Sequence, residues 1–138
     1  MTSGELLADI LRCTERNSAL HGDELVRAAD AVSAIAETHD AFVVNVDDAG
    51  ARIVGACLAR HDQIRTVDRS RRADMIPVLL VAGHIAGTMQ VALAAQTLRR
   101  LGAVSVVAAV LSAPARTIPL CDEVMVLPSE PLRVVAAS

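Results

Sequence analysis

Lysine is absent from this chain, so all thirteen residues in its Lys-plus-Arg count are arginine. A Walker-type phosphate loop, whose lysine reaches the phosphates, is therefore excluded, as is Schiff-base catalysis. Tryptophan and tyrosine are also missing, and Phe42 is the single aromatic residue. Base stacking on aromatic platforms is closed to such a sequence, and a formal net charge of −3 gives no general electrostatic hold on nucleic acid or an anionic membrane. Neither is expected as a partner. The three cysteines, Cys13, Cys57 and Cys121, form no CxxC pair, and no secretory hydrophobic region opens the chain, which fits a reduced cytoplasm. Arg99, Arg100 and Gly102 interrupt the longest apolar stretches, so no membrane span is predicted. His21, His39, His61 and His84 are scattered without ligand spacing, and no metal site is expected from them.

What the chain does have is apolar residues, 53% of its 138 positions, enough for one domain to bury a core without disulfides or metal. Leu6, Leu7, Ile10 and Leu11 recur at helical spacing after Thr2 and Ser3, and a second alanine-rich helix capped by Asp23 runs to His39-Asp40. These N-terminal helices occupy about residues 3–39. Ala41 to Val46 reads as a buried strand, Asp47 to Gly50 as a turn, and Ile53, Val54, Cys57 and Leu58 as the apolar stripe of a helix. Gln63 to Val67 is β-branched enough for another strand, and the polar run Asp68 to Asp74 is a loop.

Pro77 to Leu111 then reads as strand, glycine-bearing turn, helix, Gly102-Ala103 stop and strand, a βαβ crossover. Asp122 to Leu127 completes five predicted strands. The alternation predicts an α/β domain, a mainly parallel five-stranded sheet with helices on both faces. Ligands of open parallel sheets bind beyond the carboxyl ends of the strands, which points to Ala82, Gly83, His84, Ile85, Ala86, Gly87 and Thr88. Backbone amides there would hold a phosphate with Thr88 as hydroxyl donor; alternatively the glycines serve close packing and Thr88 is an N-cap. His84 is either a contact to phosphate, metal or proton, or a turn histidine in water. Asp47 and Asp48 are either magnesium ligands or an N-cap pair that complements the helix dipole. Arg69 and Arg71, with Arg72, are a possible anion clamp in a solvated loop, and Arg116 a possible anion contact past the fourth strand.

Three segments, FVVNVDDAGARIVGACLAR, VLLVAGHIAGTMQVALAAQTLRRLGAVSVVAAVL and CDEVMVL, together resemble the type I phosphoribosyltransferase family over roughly residues 22–135. The resemblance implies a sheet of order 3-2-1-4-5, a phosphoribosyl pyrophosphate site and magnesium if the chain is active. Family members carry two acidic residues after the central strand to bind the ribose hydroxyls; Ala82 and Gly83 stand there instead. Of the family's Thr-Gly-Gly-Thr type phosphate loop, Gly87-Thr88 is retained. The Asp68–Asp74 run is shorter than the family's catalytic loop, and Asp47-Asp48 would repel a pyrophosphate. The expectation is a phosphoribosyltransferase-like domain without ordinary transferase activity, serving as a ligand-binding, regulatory or subunit-interface module. Its ligand would be a phosphorylated small molecule, and its assembly a homodimer or hetero-oligomer. The alternatives are an active transferase with a rearranged site, or a flavodoxin- or Rossmann-like domain that binds a nucleotide or anion.

Overall fold

The computed structural model describes residues 2–67 and 74–128, so Arg69, Arg71 and Arg72 lie outside the described residues. Two helices lead the chain, α1 (Ser3–Ser18) and α2 (Gly22–His39). The α1 start is a capping box: the Thr2 hydroxyl accepts from the Glu5 amide, and the Glu5 carboxylate accepts from the Thr2 amide. At α2 the N-cap is His21 rather than the expected Asp23, which lies inside the first turn and there complements the helix dipole. Asp40 closes α2 in the left-handed region at φ 50°, a conformation that aspartate tolerates better than most residues.

The remaining order is β1 (Phe42–Asn45), α3 (Asp48–Arg60), β2 (Pro77–His84), α4 (Met89–Arg100), β3 (Ser105–Ser112) and β4 (Glu123–Val126). The sheet is parallel throughout, with strand order β1-β2-β3-β4. Among the described residues it has four strands, not the five expected. Gln63 to Val67 makes one parallel bridge, between Thr66 and Val43, on the free edge of β1. The Val43 amide donates to Arg65 at 2.7 Å and the Val67 amide to Val43 at 3.4 Å, so pairing ends after one residue and the run is not a strand. Counting that bridge, the five segments lie in chain order 2-1-3-4-5 across the sheet, not 3-2-1-4-5.

Side chains alternate across the sheet as the pleat requires. Val43, Leu79, Val81, Val107 and Ala109 pack beneath α2 and α3, whereas Val44, Val78, Leu80, Val106, Ala108 and Val110 pack beneath α4. Helices therefore cover both faces, and β2 and β3 are buried on both, which is why they read as continuous apolar runs. Because β1 leads to its neighbouring bridge on one side and to β2 on the other, the chain reverses direction across the sheet at the β1/β2 boundary. At such a boundary the connections leave toward opposite faces and open a crevice.

Candidate functional site

The β1/β2 boundary is occupied by a crevice of about 540 Å³, a volume in the range of small-molecule sites. One wall is α1, through Ile10, Cys13, Thr14 and Asn17; the other comprises His84, Ile85, Ala86, Gly87, Met89 and Gln90. Asp47, Asp48 and Arg52 complete it. A second, more polar hollow shares Asp47, Asp48 and Gln90 and extends past the end of β1. Another hollow, about 790 Å³, lies at the opposite end of the sheet around Asp40, Arg60 and Arg65. Both of its arginines are already paired, Arg60 with Asp30 at 3.0 Å and Arg65 with Asp40 at 2.6 Å, and it lies away from the carboxyl ends of the strands.

Strand β2 runs further than the sequence suggests. Ala82, Gly83 and His84, expected in a turn, belong to the strand, because β3 continues beside them in the pairs Ala82↔Val110 and His84↔Ser112. The Ile85 amide then donates to the Ser112 carbonyl at 2.9 Å. Ala82 is buried against the α4 side of the core and offers no polar group.

Gly83 sits in the tightest place. A Cβ there would lie 2.4 Å from Ala49 Cβ and 2.4 Å from Asn17 Oδ1, so nothing larger than hydrogen fits. Its amide donates to the Asp47 carboxylate at 3.1 Å, and the same carboxylate accepts from the Gly50 amide at 2.6 Å. Asp47 is therefore the N-cap of α3 and at the same time a bridge to the end of β2. Gly50 is just as confined, since a Cβ would approach the Val81 carbonyl oxygen to 2.1 Å. Asp48 is exposed in the first turn of α3.

His84 is buried, not a histidine in open water, with Nδ1 2.7 Å from Ser112 Oγ. Its backbone is clasped by Asn17: the His84 amide donates to Asn17 Oδ1 at 2.7 Å, and Asn17 Nδ2 donates to the His84 carbonyl at 3.0 Å. Arg52 on α3 secures the same corner by donating to the carbonyls of Asn17, at 2.9 Å, and Leu20. Gln90 reaches back from α4 to donate to the Val46 carbonyl at 3.2 Å. Asn17 and Arg52 were not singled out by the sequence, although a glycine within a β pattern is a general sign that another backbone or side chain approaches closely.

Gly87 is exposed beside the start of α4. Thr88 is the N-cap residue, but its side chain makes no capping bond. Within the predicted phosphate loop, the amides of Gly83, His84 and Ile85 are engaged by Asp47, Asn17 and Ser112. Arg116 is exposed and does not line the crevice. Among the described residues no three His, Cys, Asp or Glu side chains converge in a way that could hold a metal ion. No helix among them is long and apolar enough to cross a membrane. The chain matches no family model, no curated protein and no solved structure.

Proposed function

We propose that this chain is a small-molecule-binding module whose site is the crevice at the β1/β2 boundary of an α/β domain, and that it does not carry out ordinary phosphoribosyl transfer. One observation carries the reading: the Asp47 carboxylate accepts from both Gly50 and Gly83. A half-buried carboxylate of the protein thus takes the amide at the end of β2 and places negative charge where an incoming pyrophosphate would have to approach. Coulomb repulsion between two such groups at about 4 Å costs several kcal/mol at protein-surface dielectric. The apolar contributions of Ile85 and Met89, on the wall opposite α1, favour a ligand with an apolar body and a neutral or cationic head.

The chain order 2-1-3-4-5, with the Thr66 bridge counted, favours a second reading, a flavodoxin-like nucleotide-binding domain that uses the same boundary. Both readings place the ligand in one crevice and differ over phosphate. Calorimetric titration with phosphoribosyl pyrophosphate and magnesium, and separately with a mononucleotide, distinguishes them. Neither titrant is expected to give saturable heat. Magnesium-dependent saturable binding of the donor would instead support an active transferase with Asp47 or Asp48 at the metal.

A further inference from the structure

Helix α1 contributes no buried residue to the fold, and Leu6, Leu7, Ile10 and Leu11 remain 44–58% exposed. An isolated helix of 16 residues is marginal in water, so what holds α1 in place is its attachment. The hydrogen bonds that attach it come from the last turn and the residues just after it. Asn17 clasps the amide and carbonyl of His84, and Arg52 holds the carbonyls of Asn17 and Leu20. Leu20 itself is buried, 1% exposed, and Gly22 follows at φ +55°. The chain is thus pinned at Leu20, with a left-handed glycine at the start of α2.

The clasp also lies inside the crevice, because Asn17 and His84 both line it. Resting on the reading of that crevice as the ligand site, we propose that α1 is a displaceable plug and that Asn17 is an internal stand-in for the ligand. The backbone of His84 presents a donor and an acceptor side by side, and the Asn17 carboxamide satisfies both. A ligand reaching the end of β2 must offer the same pair, the neutral edge of a primary carboxamide or lactam. The nearby Asp47 carboxylate selects against an anionic head. Such a ligand and the seated α1 compete for one pair of backbone groups, so binding releases the helix and the exposed Leu7–Leu11 stripe with it.

Hydrogen exchange on the full chain, with benzamide as probe and benzoate as charged control, tests this. In the wild type the α1 amides are expected to exchange at least tenfold faster than those of β2 and β3, and benzamide to accelerate them further while benzoate does not. Asn17→Ala, or Arg52→Gln should the first variant fail to fold, is expected to free α1, leave the sheet amides unchanged and tighten benzamide binding about tenfold. Exchange of α1 in step with the sheet, or equal benzamide affinity in wild type and variant, overturns the plug while leaving the crevice reading intact. A freed α1 with no benzamide binding in either protein overturns both.

Discussion

Asn17 and Gly83 are fitted to each other: Asn17 Oδ1 occupies the space, 2.4 Å away, that a Cβ on residue 83 would need. The position at which the resembled family keeps an acidic residue is here the seat of a helix. Gly83→Ala must therefore move α1 or Ala49. Overpacking of this kind costs about 1–3 kcal/mol, to be measured by urea unfolding. Combined with Asn17→Gly the cost is expected to fall, though not to zero, because Ala49 Cβ stands equally close. A cost for the double variant equal to the sum of the two singles would show that the residues do not compete for space.

Asp47 serves two elements through one carboxylate. Asp47→Ala removes an N-cap, at about 1 kcal/mol, and also leaves the Gly83 amide without its partner, at about 1–3 kcal/mol. Denaturant unfolding is expected to show a loss of about 2–4 kcal/mol, summing the cap and the orphaned amide. Asp47→Asn, which keeps one accepting oxygen, should lose less than half of that. A loss for the alanine variant no larger than that of an ordinary cap would mean that the bridge to β2 contributes nothing.

Asp122 gives the fold a sensitivity to acid. The Val106 amide donates to its carboxylate at 2.9 Å, and with Arg99 3.0 Å away this holds the carboxyl below its usual range. The unfolded chain then binds the proton more readily, so this contribution is complete above the unfolded aspartate pKa of about 3.9 and is lost as pH falls through the lower folded value. Asp30, held down by Arg60 and His61, acts in the same sense. Both groups are solvent-screened, so the effect is a modest slope. Melting temperatures recorded from pH 6 to pH 3 should fall less steeply in Asp122→Asn than in the wild type; parallel curves would remove Asp122 from the account.

The three thiols are poor nucleophiles in the folded state. Burial raises Cys121 to about 11 and pushes Cys57 and Cys13 upward as well. Cys57 also donates to the Ala29 carbonyl at 3.1 Å. At pH 8 all three should react with a disulfide reagent far more slowly than in denaturant, with Cys57, which is fully buried, the slowest. Fast native labelling of Cys121 would contradict a protonated, shielded thiol.

Periodicity made the scaffold legible in the sequence. The apolar runs of β2 and β3, the Gly102-Ala103 stop and the Thr2 start of α1 are all local patterns. The end of β2 was not legible, because Gly83 and His84 look like turn residues and are strand only by virtue of β3 beside them. The strand expected at Gln63–Val67 has the right composition but finds a partner only at Thr66. The site suffered most. The Asn17–His84 clasp spans 67 residues and the Arg52–Asn17 bond 35, and no local spacing announces either. Asp47 was legible as a cap, but not as the partner of Gly83.

The division of the core between alternate residues of β2 limits how this protein can change in length. Leu79 and Val81 face one helical layer, and Val78 and Leu80 face the other. Gain or loss of a single residue within β2 would exchange the two sets and pair each with helices shaped for the other. The turn after β3 carries no such parity, so insertions and deletions among relatives should collect there and be absent from β2. The central strand is the ruler of the fold, and it admits no one-residue change of length that leaves both cores intact.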